Sequence, residues 1–121
     1  MPKLLDWEQL QEDVRIGLES VDGRAKVSRG SGAVKGNGDV TSVHYMAECK
    51  YRSTDSFSIN RATVQKIQAE ARLLGKVPLL VTRNKKKETL VTMTLTDFLR
   101  IAGLPKESNG RDEASLSELL H

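Results

Sequence analysis

Hydrophobic and polar positions along this chain change period several times, and each change marks an element. From Tyr45 to Arg52 the period is two: Tyr45, Ala47, Cys49 and Tyr51 alternate with Met46, Glu48, Lys50 and Arg52, which predicts a strand. Upstream, Trp7, Leu10, Val14 and Leu18 recur at helical spacing. They predict a helix from Trp7 to about Glu19, with Asp6 as N-cap and Gln9 three residues on. Val21-Asp22-Gly23 closes it with turn chemistry. Downstream, Val64, Ile67, Ala71 and Leu74 form the core face of a second helix, Ile59 to Leu74. Arg61, Gln65, Gln68 and Arg72 make its polar stripe, and Gly75 is its stop. Three further strands are expected, over Arg24 to Arg29, Val77 to Thr82 and Glu88 to Thr94. Pro78 puts the start of the second at an edge or a bulge. Thr96 is the expected cap of a short helix, Asp97 to Ala102.

This order of helix, three strands (one of them in the run that begins at Asp39), helix, two strands and helix predicts an α/β fold, a single domain with a central mixed sheet flanked by helices. The domain is expected over residues 1–104. Pro105 to Glu113 reads as a polar linker and Ala114 to Leu120 as a short helix, so 105–121 forms a tail. Gly30 to Gly38 is rich in glycine. It is either a flexible connection or a loop that admits a nucleic-acid backbone, with Arg24, Lys26, Arg29 and Lys35 nearby to neutralise phosphates. It lacks the Gly-Lys-Ser/Thr ending of a P-loop. Asn84 to Lys87 is a basic turn of the kind usually left solvated.

Composition narrows the field only a little. The 121 residues suffice for one core and not for two. No apolar run approaches the roughly 18 residues of a membrane helix, and the first ten residues lack the apolar centre of a signal peptide. One cysteine excludes an internal disulfide and fits a reducing cytoplasm. Cys49 and the two distant histidines offer no zinc-ligand spacing. A net charge of +3 leans toward an anionic partner.

The chemistry concentrates between Gly36 and Arg52. Glu48 and Lys50 project from one face of a strand, and Asp39 begins the run that a strand or tight hairpin brings back beside Glu48. Ionisable groups on an otherwise apolar strand cost stability unless they are paired or metal-bound. The bland alternative is a salt-bridged Glu48–Lys50 pair on an exposed sheet face. The functional one is a site for a hard divalent cation and the water it activates. Cys49, between the two, belongs to the opposite face and reads as a small core residue.

Gly30-Ser31-Gly32-Ala33, Gly38-Asp39-Val40 and Glu48-Cys49-Lys50 together resemble the PD-(D/E)xK nuclease superfamily, and within it the archaeal-type Holliday junction resolvases, including phage-encoded versions. The resemblance runs from the first helix to about Arg83. It implies a restriction-endonuclease-like core and a structure-selective endodeoxyribonuclease that resolves four-way DNA junctions, with Mg²⁺ as cofactor and Mn²⁺ as substitute. Asp39 and Glu48 would then be metal carboxylates, with Glu12 (or Glu8) as the helix glutamate. Lys50 would help electrostatically and Ser31 would contact DNA near the scissile phosphate. Gln65 weakly matches a polar residue on the following helix. Arg24, Lys26, Arg29, Lys35 and Arg52 would also contact DNA. The resemblance further implies a homodimer without membrane attachment, in the cytoplasm (of a host, if phage-encoded). Glycine precedes Asp39 where the family name has proline, and the Asp39 to Glu48 interval is short, so the intervening hairpin must be very tight. Two alternatives stand beside this: a related nuclease acting on ends, flaps or duplex, and a non-catalytic α/β module that binds nucleic acid.

Overall fold

The first helix, α1 (Asp6–Asp22), forms around the stripe of Leu10, Val14 and Leu18. Leu10 is fully buried, and the other two pack against the core. The computed structural model describes residues 3–28 and 37–103. The N-cap of α1 is Leu5 rather than Asp6. Glu8 accepts the Leu5 backbone N–H at 3.0 Å, while the Asp6 carboxylate turns outward to Lys87 and Tyr51. Gly23 ends the helix at φ +97°, a conformation that a side chain resists.

Strands β1 (Lys26–Ser28), β2 (Asn37–Thr41) and β3 (Tyr45–Tyr51) run antiparallel in sequence. Helix α2 (Arg61–Leu73) then crosses over to β4 (Val77–Arg83), which lies parallel to β3, and β5 (Thr89–Thr92) returns antiparallel. The five strands stand in chain order, a mixed sheet within a single small α/β domain that ends in α3 (Leu95–Ala102). Pro78 lies within β4 opposite Met46. Since β5 pairs only from Leu80 onward, the proline faces a stretch of β4 with a ladder on one side alone.

Alternation sorts the sheet into two faces. Val40, Ala47, Cys49, Leu79 and Val81 point to α1 and, with Leu10, make the core. The other face carries Asp39, Glu48 and Leu80, and it is covered by Ile67 and Ala71 of α2. Cys49 is 1% exposed in that core, and burial pushes its thiol pKa up to about 12, as suits a packing residue.

Several boundaries differ from the periodicity. Asn60 caps α2 by accepting the Thr63 N–H at 2.8 Å, so Ile59 stays outside the helix. Leu74 follows the last turn and is exposed rather than core, and Gly75 reverses the chain at φ +66°. Thr94, not Thr96, caps α3, its hydroxyl accepting the Asp97 N–H at 3.1 Å. Although strongly amphipathic, α3 buries none of its residues, and Leu95, Phe98 and Ile101 are exposed. No described helix is long and apolar enough to cross a membrane. The tail after 104 lies outside the described residues.

Candidate functional site

Three residues, Ser42 to His44, join β2 to β3, and this tight turn sets the site. Asp22, at the end of α1, accepts the Ser42 hydroxyl at 2.6 Å and the His44 N–H at 2.8 Å through one carboxylate oxygen. Those bonds hold the Asp22 carboxyl below the usual carboxylate range, the Ser42 hydroxyl contributing most. Lys76 closes the turn from the other side by donating to the Ser42 carbonyl at 2.6 Å.

With the turn fixed, register does the rest. Asp39 stands directly opposite Glu48, and Val40 opposite Ala47. The two carboxyl groups come within hydrogen-bonding reach of each other. Lys50 lies on the same face, its Nζ 3.8 Å from Glu48 Oε1, and the Lys50 and Glu48 side chains are only 15% and 13% exposed. Burial, followed by the hydrogen bond and the charge of Asp39, pushes the Glu48 pKa up to about 8. Lys50 and Lys66 pull in the other direction. The pair is therefore recessed in a cleft of about 300 Å³ rather than spread on an exposed face.

The structure brings together Asp39, Glu48 and Lys50. It does not bring Glu12 to them. Helix α1 covers the opposite face of the sheet, and Glu12 is bound by Arg15, whose guanidinium lowers its pKa. Glu8 is engaged with the Leu5 N–H. Among the described residues no cluster of three or more Asp, Glu, His or Cys side chains suited to a metal is assembled. Asp39 and Glu48 are a pair of hard oxygen donors, the type that Mg²⁺ or Mn²⁺ accepts together with waters and a backbone carbonyl.

The basic residues divide. Lys26 is exposed on β1, and its register with Thr41 carries it onto the Asp39 face. Arg24 is exposed beside it. Arg52 leaves the sheet, with its guanidinium 5.3 Å over the Phe57 ring. Arg29, Ser31 and Lys35 lie outside the described residues. Gln65 is on an exposed face of α2 and does not line the cleft.

Sequence periodicity missed the far wall of the cleft, made by Thr63, Lys66, Ile67 and Glu70 of α2. Lys66 Nζ is 3.9 Å from Glu70 Oε1, and its charge reaches Glu48. The signal was present as a 3-1-3 spacing centred on the buried Ile67, which turns Thr63, Lys66 and Glu70 toward β3. Comparison with family models, curated proteins and solved structures returned no match for this chain.

Proposed function

We propose that this protein is a Mg²⁺-dependent, structure-selective DNA endonuclease with a restriction-endonuclease-like PD-(D/E)xK core, resolving four-way junctions as a homodimer. One observation carries the reading: Asp39 opposite Glu48, with Lys50 on the same face and Glu48 and Lys50 lining one cleft. Two half-buried carboxyl groups and a strand lysine destabilise a fold, and their convergence is better explained by a cation and phosphate site than by packing.

In this reading Asp39 and Glu48 would hold the cation, giving up the proton that burial favours on Glu48. The chemistry that Mg²⁺ or Mn²⁺ would supply when bound is an activated water and charge withdrawal from the phosphoryl oxygens. Lys50, next to Glu48 on the same face, meets the charge that develops on the phosphate. Lys66 adds a second cation from α2. Exposed Lys26 and Arg24 lie where the flanking backbone would pass, and such contacts read shape rather than base sequence. A four-way junction has two symmetric scissile phosphates, for which a C2 dimer is the matching assembly.

The test is cleavage of a synthetic four-way junction beside a matched linear duplex, with Mg²⁺ or Mn²⁺ and with EDTA. Paired, metal-dependent nicks at the junction are expected, abolished in Asp39→Ala and Glu48→Ala while junction binding is retained. Cutting confined to duplex, ends or flaps would replace the resolvase with another nuclease. Binding without cleavage, unchanged in both variants and by metal, would leave a nucleic-acid-binding module.

A further inference from the structure

A second cavity lies on the other flank of α2. It occupies about 530 Å³ between the end of α2, the start of β4 and one side of α3, and it shares no lining residue with the Glu48 cleft. Helical geometry explains the separation: Lys66 faces one cavity and Gln68 the other, and residues two apart point roughly 200° from each other.

Its walls have a marked charge. Arg72, Lys76 and Arg100 line it, against the single acid Asp97. Lys76 spends one of its donors on the Ser42 carbonyl and keeps two. Arg72 and Arg100 form no ion pair among the described residues, whereas Arg15 and Arg83 each hold a carboxylate. Two guanidiniums from different helices, neither ion-paired among the described residues, therefore border one concave space, and Gln68, Val77 and Pro78 also line it. A planar fork of donors matches the oxygens of a phosphate, and the volume falls within the range of small-ligand sites.

We infer that this cavity is a phosphate-recognition site taking a ligand of nucleotide size, held by Arg72 and Arg100 together with Lys76. The site is independent of the Asp39–Glu48 chemistry, and its occupant is either a free nucleotide or one unit of a nucleic-acid strand. Asp97 opposes the anion and limits affinity.

The full-length chain is titrated by calorimetry, without divalent metal, with inorganic pyrophosphate, with dAMP and with an eight-nucleotide single strand. Binding of at least one probe is expected to weaken tenfold or more in Arg72→Gln and in Arg100→Gln. Asp97→Asn should strengthen it, and Lys86→Gln, in the turn between β4 and β5, should leave it unchanged. The side chains of Arg72 and Arg100 are solvent-facing, so equal circular dichroism melts will establish that both variants fold. Tighter binding of dAMP than of the strand identifies a free nucleotide. Tighter binding of the strand, with a salt slope reduced by about 0.7 for each arginine removed, identifies nucleic acid. No binding of any probe, or binding indifferent to both arginines, overturns the site.

Discussion

Glu48 is the residue on which the chemistry and the stability of the sheet meet. Its pKa, raised to about 8 from 4.5, has a definite sign for folding. The unfolded chain loses this proton near pH 4.5 and the folded chain only near 8, so the group subtracts stability progressively as pH rises through that window. The metal-free Glu48→Gln variant should therefore melt higher than the parent at pH 8 and equal to it near pH 4. Each kcal/mol is worth about 3–6 °C in a domain of this size. A thermal melt series from pH 4 to 9 checks this, and parallel curves would refute it. Lys66 belongs to the same scale. Lys66→Gln should slow cleavage by about 10- to 100-fold with little effect on the melt, measured under single-turnover conditions. Glu48 and Lys50 were legible because a period-two run fixes which residues share a face, and Asp39 because a tight hairpin would return it beside Glu48. Lys66 and Glu70 were not, because the rotation of α2 about its axis is set by Ile67 and Ala71 meeting a sheet that the local sequence does not contain.

At the scale of elements, the β2–β3 hairpin is held by side chains from far along the chain. Ser42 is 3% exposed, donates to Asp22, and its oxygen accepts the Tyr45 N–H at 3.3 Å. Ser42→Ala takes the hydroxyl from Asp22 and from the Tyr45 N–H, leaving the Asp22 oxygen with the His44 N–H alone, and should cost about 1–3 kcal/mol in a urea titration. Asp22 provides an independent check through pH. Its folded pKa lies below 3.8, so its contribution is present above that value and disappears as pH falls through the folded pKa. The stability gap between the parent and Asp22→Ala should thus be constant near neutrality and close on acidification. Element existence and order were legible over the described residues. The caps were not: Asp6 and Thr96 are good capping residues by type, but Asp6 is drawn off by Lys87 and Tyr51, and Thr94 reaches the free N–H groups first.

For the whole molecule, the two faces of the sheet have different duties. The α1 side is the core, with Leu10 at 0% exposure, and Arg83 ties its edge by donating to Asp13 at 2.8 Å. Leu10→Ala should cost about 2–5 kcal/mol, read from denaturant midpoints. At a temperature where the variant remains folded, it should keep the cleavage rate, because Leu10 touches neither Asp39 nor Glu48. The opposite face trades apolar packing for ionisable groups and two clefts on either side of α2. That division also explains why Glu12 was a poor guide from sequence: helical periodicity gives the core face of α1 but not which face of the sheet it will cover.

The anchored turn has a consequence for how this sequence can change. With Ser42 and His44 pinned to Asp22, the count of residues runs outward from a fixed origin, and odd and even positions have opposite fates. One residue inserted between Asp39 and Thr41 would send the aspartate across the sheet to the α1 side, while Glu48 stayed where it is. Length variation in this arm is therefore confined to steps of two. A single-codon insertion there should erase the site as thoroughly as removing the carboxylate itself.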